Sequence, residues 1–441
     1  MPDAFHSKPS PEAIAHVEDL ISFIEASPSS YHAAREIKRR ALAEGGIELD
    51  EREQWAIEPG QGYVVVRDGA AIAFITPHAV TPNSRFTIIG THTDSPGFKL
   101  KPHATFGNAD FWQAGVEIYG RPILHTWFDR ELELAGRIVT DDGVAHLVRT
   151  GPMFRIPTLA IHMDRSVNDK LVLDWQKHTQ PVWGIGDIED ADVLSLLASC
   201  SMHEDDIPTE CIVGYDIITV DTQAPRIFGA NNSMLASPRL DNMLGTHAAI
   251  SALFSLDSSD MESIAMVVAF DHEEVGSQTR SGAHGSFLQD VLHRIVVSLW
   301  GNEENLLRSL AGSWHISCDV GHGAHPNYLE KSDPNDPALV GRGPILKINA
   351  NQRYATDAIT AGLWNASCEA AGIPHQSFVS NNSVPCGTTT GPISATRLGI
   401  RTVDVGAPIL SMHSAREMAS VEDTWNLYRA LTEALRRQLP D

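Results

Sequence analysis

Short, nearly uninterrupted apolar runs recur along the sequence, and several of them end in a cluster of polar residues. The runs lie at residues 85–90, 264–270, 315–318 and 402–405. Stretches with helical spacing separate them, at residues 245–256, 286–298 and 355–371. A strand that is apolar at every position is typical of a sheet buried on both faces. The sequence therefore predicts an α/β fold, in which helices flank both faces of a mixed sheet.

The pattern changes in the middle of the chain. Near the start of the chain, Ser10 and Pro11 predict the beginning of a first helix, and a second helix is expected from about Ser30. Asp68-Gly69 then predicts a hairpin turn. Residues 101–231 contain many short β-like runs instead. We therefore expect an α/β domain formed by residues 1–100 and 232–441, interrupted by a β-rich insert at residues 101–231.

Charge and composition exclude several classes of protein. The chain has 33 Lys+Arg against 56 Asp+Glu, a net charge of −23, which argues against nucleic-acid binding. No stretch approaches the roughly 18–20 uncharged apolar residues of a membrane span, and the start has no secretory signal pattern. The five cysteines show no C-x-x-C spacing. We expect reduced thiols in a cytoplasmic protein.

The polar clusters hold the residue types that bind metal ions, and several of them follow an apolar run directly. In open α/β sheets, ligands bind at the carboxyl ends of the strands. The candidate ligands are His92, Asp241, Glu274, Asp319 and His413. Two imidazoles and three carboxylates suit two divalent cations that share a bridging carboxylate, with zinc the first choice and Mn²⁺ or Co²⁺ as substitutes.

Two further residues have predicted roles beside these ligands. Asp94 lies two residues after His92, where its carboxylate can accept the other ring N–H. Glu273 precedes Glu274 and remains available as a general base for a metal-activated water. Each cluster also has a structural alternative, such as a core histidine, a helix cap at Asp241 or a solvated acidic turn.

Motifs along nearly the whole chain, from about Leu20 to Glu433, resemble the aspartyl aminopeptidase family of metallopeptidases. They are GTHTDSP at 90–96, TWFDR at 126–130, IPTLAIH at 156–162, SPRLDN at 237–242, EEVGS at 273–277, HPNY at 325–328, NQRYA at 351–355, PCGT at 385–388 and MHS at 412–414. The resemblance implies a catalytic domain interrupted by a β-rich dimerisation domain, which agrees with the insert at 101–231. It also implies a homo-oligomer, a dodecamer built from dimers.

The resemblance assigns the ligands to two zinc ions per subunit. His92 and Asp319 would bind one ion, and Glu274 and His413 would bind the other. Asp241 would bridge the two ions. The implied reaction is hydrolysis of the N-terminal residue, preferentially Asp or Glu, from peptides.

The same resemblance implies the roles of the remaining site residues. Glu273 would be the general base, and His322 and Lys347 would contact the substrate and supply positive charge for its acidic side chain. The structural alternative for Lys347 is a solvent-exposed strand residue. His162 would reach the active site of a neighbouring subunit and help to stabilise the oxyanion. Ser383 stands where family members often have Asp, which bears on the strength of the acidic preference.

Two other functions remain open at this point. One is a two-metal aminopeptidase or deacylase of different specificity, and the other is a non-catalytic assembly or cargo protein that kept the fold. The complete set of ligands with a base favours an enzyme. We expect peptides with an acidic N-terminal residue as partners, and neither nucleic acid nor a membrane. The acidic stretch at 186–192 is expected to be a solvated surface loop.

Overall fold

Helices and strands alternate through the chain in the computed structural model, which describes residues 8–201 and 207–439. The helices in these ranges are Pro11–Ala26 (α1), Ser30–Ala43 (α2), Val193–Ser199 (α3), Leu240–Phe254 (α4), Phe287–Ser298 (α5), Glu303–Ala311 (α6), Ala358–Ala371 (α7), Gly391–Leu398 (α8) and Val421–Leu435 (α9). The strands are Ile47–Glu48 (β1), Gly62–Arg67 (β2), Ala70–Ile75 (β3), Phe86–His92 (β4), Gly97–Asn108 (β5), Phe111–Tyr119 (β6), Leu132–Thr140 (β7), Ala145–Arg149 (β8), Val182–Ile185 (β9), Ile212–Asp221 (β10), Arg226–Phe228 (β11), Met234–Ser237 (β12), Ile264–Phe270 (β13), Trp314–Cys318 (β14), Gly321–His322 (β15), Ile345–Ile348 (β16), Gln376–Val379 (β17), Arg401–Gly406 (β18), Pro408–Leu410 (β19) and Glu417–Ser420 (β20).

The chain divides into two units. The first contains the described residues up to Asp94, Pro225–Met412 and those from Glu417 onward. The second contains Ser95–Ala224 and the short segment His413–Arg416. The predicted insert at 101–231 overlaps most of the second unit, but the sequence did not place residues 413–416 in it.

A nine-stranded mixed sheet forms the centre of the first unit, in the order β1-β2-β3-β13-β4-β14-β18-β16-β17. Strands β13, β4, β14 and β18 are successive parallel neighbours, so their carboxyl ends share one edge. The Asp68-Gly69 turn joins β2 and β3 as an antiparallel hairpin, as predicted. A smaller sheet follows the order β11-β12-β20-β19-β15.

Alternate residues of the central strands contribute to two different cores. In β13, Ala265 and Val267 join the core that contains side chains of α1, α2, α4, α7 and α9. Met266 and Val268 join the core that contains side chains of α5 and α6. Burial on both faces explains why this strand is apolar at every position. The predicted fold class, a mixed sheet flanked by helices, is confirmed.

The second unit is built on a six-stranded antiparallel sheet in the order β8-β7-β10-β5-β6-β9. It has its own core, in which the Phe98 and Trp127 rings meet edge to face at 5.4 Å. In the acidic stretch at 186–192, the exposed side chains of Asp187 and Asp192 cap a 3-10 turn and α3. No helix in residues 8–201 or 207–439 combines the length and apolarity that a membrane span requires.

A histidine is enclosed in the middle of the large sheet. His315 in β14 is fully buried, and neither of its ring nitrogens has a hydrogen-bond partner among the described residues. A Cβ at position 90 would lie 2.4 Å from His315 Nε2, so Gly90 leaves the space that the ring occupies. Burial lowers the pKa of His315 to about 3. The folded protein therefore holds this ring in its neutral form.

Replacing His315 with leucine is expected to make the protein less sensitive to acid. An exposed histidine in the unfolded chain has a pKa of about 6.5, so between about pH 6.5 and 3 only the unfolded state binds this proton. The free energy of unfolding therefore falls as the pH falls through this window, by roughly 1.4 kcal/mol per pH unit. Denaturant unfolding at pH 7.5 and pH 5 measures the difference.

The matched control for this prediction is His293→Leu, because the His293 side chain is 49% exposed. The acid-induced loss of stability should be roughly 2 kcal/mol smaller in His315→Leu than in the unmodified protein and unchanged in His293→Leu. Equal losses in all three proteins would contradict the prediction.

Candidate metal centre

The parallel strands bring three polar clusters to one edge of the sheet. His92 is the last residue of β4, and Asp319 directly follows β14. Glu273 and Glu274 lie in a 3-10 turn that begins just after β13. Because β13, β4 and β14 are parallel neighbours, these side chains emerge at the same edge. Asp241 joins them from the first turn of α4.

The candidate ligands of the first unit lie within a few ångströms of one another. His92 Nε2 is 3.1 Å from Asp241 Oδ1 and 3.5 Å from Asp319 Oδ1. The ligand atoms of His92, Asp241 and Glu274 all lie within 4.8 Å of one another, which is close enough to share one ion. His92 is 2% exposed and Asp241 is 5% exposed. The structure thus brings together four of the five predicted ligands.

The charges at this edge fit a cation. Burial, followed by the neighbouring Asp319 carboxylate, raises the pKa of Glu273 to about 8. Burial and Asp241 raise the pKa of Glu274 well above its ordinary value. Burial opposes a charge on His92, but its hydrogen bonds to Asp241 and Asp319 raise its pKa. A divalent cation would offset this repulsion, and imidazole with carboxylates is a ligand set that zinc accepts.

The partner of His92 differs from the prediction. Its Nδ1 is hydrogen-bonded to the main-chain oxygen of Asp94 at 3.0 Å, whereas the Asp94 carboxylate lies 3.6 Å away. That carboxylate instead accepts the main-chain N–H groups of Glu273 at 2.9 Å and Glu274 at 3.1 Å. Asp94 therefore fixes the ring through its backbone and the glutamate turn through its side chain. The sequence spacing alone could not separate these two roles.

Asn242 and Glu417, which had no predicted role, hold Asp241 in place. Asp241 and Asn242 have non-helical backbone dihedrals at the start of α4. The Asp241 N–H donates to Glu417 Oε2 at 3.0 Å, and Asn242 Nδ2 donates to the Cys318 carbonyl at 2.8 Å. The second bond ties this segment to the end of β14, next to Asp319. In the sequence, Asn242 directly follows Asp241, and Glu417 lies four residues after His413. This nearness to candidate ligands was the signal that could have identified them.

The two candidate substrate contacts of the first unit have different environments. Lys347 in β16 is 2% exposed, so the alternative of a solvent-exposed strand residue is wrong. Its Nζ donates to the Val320 carbonyl at 2.9 Å and lies 3.6 Å from Asp319 Oδ2. His322 in β15 is exposed, and its ring centroid is 6.4 Å from that of Phe378. The lysine charge lies beside a candidate ligand, whereas His322 is open to solvent.

The other two candidates belong to the second unit. His413 Nδ1 is hydrogen-bonded to the Arg121 carbonyl oxygen at 3.0 Å, and the His413 carbonyl accepts the N–H of Ile123. His162 is exposed and lies in an irregular turn of the segment between β8 and β9. The functional assignments of both residues stay predictions.

The sequence matches the family described as aminopeptidase I zinc metalloprotease (M18) over residues 23–433. The chain belongs to the M18 family. It is therefore a metalloaminopeptidase, and the resemblance to aspartyl aminopeptidases, which are M18 enzymes, is confirmed at the level of the family.

Individual relatives cover almost the whole chain. A probable M18 family aminopeptidase 2 from Streptomyces avermitilis is 46% identical over 425 residues, which are 95% of this chain and 97% of the relative. Ape4, solved in complex with Nbr1, superposes with a TM-score of 0.93 at 36% identity, covering 98% of this chain and 87% of that one. The S. cerevisiae mApe1 dodecamer superposes with a TM-score of 0.82 at 25% identity, with 96% of each chain covered.

Replacing Asp94 with asparagine is expected to lower aminopeptidase activity ten- to a hundredfold. The amide keeps one acceptor oxygen, but it turns an NH₂ group towards one of the two main-chain N–H groups that the carboxylate now accepts. The glutamate turn then loses one of its two hydrogen bonds. Steady-state hydrolysis of a peptide substrate and the zinc content per subunit measure the effect.

Asp257→Asn serves as the control, because the exposed Asp257 carboxylate caps a short turn by accepting the N–H and the hydroxyl of Ser259. Full activity in Asp94→Asn, or an equal loss in Asp257→Asn, would contradict the role given to Asp94.

Proposed function

We propose that this M18 enzyme removes an N-terminal Asp or Glu from peptides, with two zinc ions per subunit and Glu273 as the general base. The observation that carries the proposal is the packing of one imidazole and several carboxylates at the carboxyl edge of the parallel strands. Family membership supports zinc and aminopeptidase chemistry. The preference for acidic residues rests on the sequence resemblance and on the side chains of Lys347 and His322.

Four ligands in the proposed assignment come from the first unit. His92 and Asp319 would hold one ion, Glu274 would hold the other, and Asp241 would contribute a carboxylate to both. The short distances from His92 Nε2 to both aspartates support a shared site for these three residues, and the separation of Glu274 into a second site rests on the resemblance. The assignment of His413 as a further ligand rests on the resemblance alone. Bound zinc supplies Lewis acidity for activating water and for stabilising negative charge on a peptide carbonyl.

Glu273 handles the proton in this proposal. Its carboxylate takes a proton from the attacking water and later delivers it to the leaving amine. The main-chain hydrogen bond from Glu273 to Asp94 fixes the turn from which its side chain projects. Glu274 is fixed by the same carboxylate, so the base and a ligand keep a constant relation to each other.

Lys347 and His322 are available to bind an acidic substrate residue. His322 is exposed and can approach a substrate carboxylate directly. Lys347 is buried in β16, with its ammonium group beside the Asp319 carboxylate. Ser383 is exposed in the loop before α8, where related enzymes often have Asp, and it bears on how strongly acidic residues are preferred.

We also propose a homo-oligomer, a dodecamer built from dimers through the second unit. The segment between β8 and β9 exposes large apolar side chains, among them Met163 at 75%, Val172 at 68% and Trp175 at 65%. Burial of such side chains by a second copy would be favourable. The dodecamer of mApe1 supports the size. His162 lies in this segment, and we assign it to the active site of a neighbouring copy.

The proposed compartment is the cytoplasm. All five cysteines are free thiols, which fits a reducing environment.

Chelation and substrate choice test the proposal together. Metal-analysed protein should hydrolyse an Asp-aminoacyl peptide at least tenfold faster, in kcat/KM, than the Leu counterpart. A chelator should remove this activity, and added Zn²⁺ should restore it at about two ions per subunit. Chelator-sensitive activity that favours Leu would support a two-metal aminopeptidase of other specificity. Absence of activity at full metal loading would favour the non-catalytic assembly role.

Glu273→Gln is expected to keep its zinc but lose nearly all turnover, because the amide cannot accept a proton from water. A decrease of at least a thousandfold in kcat at unchanged zinc content is the expected result. Glu369→Gln is the matched control, since Glu369 is an exposed residue of α7. Substantial turnover by Glu273→Gln would show that another group is the base.

A further inference from the structure

A buried carboxylate outside the ligand set connects two loops next to the proposed substrate site. Asp404 lies in β18 and is fully buried. In the sheet it pairs with Ser317 of β14, two residues before Asp319. Asp404 is neither a candidate metal ligand nor part of the proposed proton transfer. An ionisable group in such a position is costly unless its hydrogen bonds are satisfied.

The hydrogen bonds of Asp404 lead to two separate loops. Its Oδ2 accepts the N–H of Ala355 at 2.6 Å, in the 349–357 loop between β16 and α7. Its Oδ1 accepts the hydroxyl of Thr389 at 2.5 Å, in the 380–390 loop between β17 and α8. The N–H of Asp404 also donates to Thr356 Oγ1 at 3.0 Å. The Asp404 carboxylate therefore holds both loops against β18.

A direct contact joins the same two loops to each other. The Thr388 hydroxyl donates to the Arg353 carbonyl at 3.2 Å. Gly391, at the start of α8, approaches Asp404 so closely that a Cβ there would lie 2.5 Å from both carboxylate oxygens. Thr389 is 3% exposed, whereas Thr388 is exposed. The anchored end of the 380–390 loop is thus built around Asp404.

Tyr354, which precedes Ala355, lies beside the proposed substrate-binding side chains. Tyr354 is 6% exposed, and Lys347 Nζ lies 5.5 Å from its ring centroid. The Phe378 ring meets Tyr354 edge to face at 6.2 Å and His322 at 6.4 Å. Tyr354 and Phe378 therefore form an aromatic wall that links the two cationic side chains. A cation held against an aromatic ring is fixed in position as well as stabilised.

We propose that Asp404 is a positioning residue for substrate recognition. By holding Ala355 and Thr389, it fixes the aromatic wall and the 380–390 loop relative to Lys347 and His322. It contacts neither the ligand set nor the base, so it acts on binding of the first substrate residue and leaves the hydrolytic step unchanged. This inference rests on the proposed aminopeptidase function and adds a determinant of its specificity.

Variants on both sides of the contact test the proposal. Thr389→Val removes only the loop-side hydroxyl, and Asp404→Ala removes every acceptor. Each should raise KM for an Asp-aminoacyl peptide about tenfold, with kcat within threefold, zinc content unchanged, and a smaller preference for Asp over Leu. The double variant should add little to Asp404→Ala, because both changes break one interaction.

Two further variants separate positioning from general stability. Asp404→Asn keeps an acceptor for the Ala355 N–H and gains a donor for the Thr389 oxygen, so its KM should stay within threefold of the unmodified protein. Thr396→Val is the threonine control, because the exposed Thr396 hydroxyl on α8 donates only to main-chain carbonyls of that helix. Its KM and kcat should not change.

The outcomes distinguish this inference from the function on which it rests. If the unmodified protein prefers Asp but Thr389→Val leaves both KM and the Asp/Leu preference unchanged, the inference is wrong and the function stands. A loss of kcat at unchanged KM would also overturn it. If the unmodified protein prefers Leu, the proposed specificity fails, and a tenfold rise in KM for Leu peptides in Thr389→Val would still support positioning by Asp404.

Discussion

The repulsion among buried carboxylates at one edge of the sheet is the constraint on which much of this structure depends. Glu273, Glu274, Asp241 and Asp319 lie around a single imidazole, and burial with mutual repulsion raises the pKa values of both glutamates. Such an arrangement is unfavourable for the chain alone. It becomes favourable when cations share the carboxylates, which agrees with membership of a zinc metalloprotease family.

The fold resists this repulsion through main-chain contacts as well as through side-chain packing. Asp94 accepts both N–H groups of the glutamate turn, and Asn242 ties the Asp241 segment to the end of β14. These bonds fix the positions of the candidate ligands. A site arranged in this way would bind a metal ion at a smaller ordering cost, and the same bonds hold Glu273 close to the candidate ligands.

Buried polar groups further from this edge of the sheet are also held by specific partners. Lys347 brings a positive charge to Asp319, and Asp404 satisfies its oxygens with groups from two loops. The sheet thus carries the candidate ligands at its edge, and the Asp404 contact to two loops lies two residues further back in the neighbouring strand. His315 is different, because its neutral ring is accommodated by the missing side chain of Gly90 and not by hydrogen bonds.

Local sequence patterns were enough to predict the fold class, the central strands and the grouping of the candidate ligands. Continuous apolar runs specify strands buried on both faces, and a polar residue at the end of each parallel strand must lie at the common edge. Local patterns of this kind depend on neighbours in the chain, so they can be read without a structure. They also explain why the sequence could place His92, Glu274 and Asp319 at one edge, where the structure brings them close together.

Which atoms meet depends on how the whole chain packs. The choice between the backbone and the carboxylate of Asp94, the role of Asn242, the burial of Lys347 and the two-loop contact of Asp404 all depend on residues far apart in sequence. The placement of residues 413–416 in the second unit has the same origin, since Ala415 donates its N–H to the distant Thr126 hydroxyl. Long-range hydrogen bonds have no local periodicity, and the packing of the chain therefore determines them.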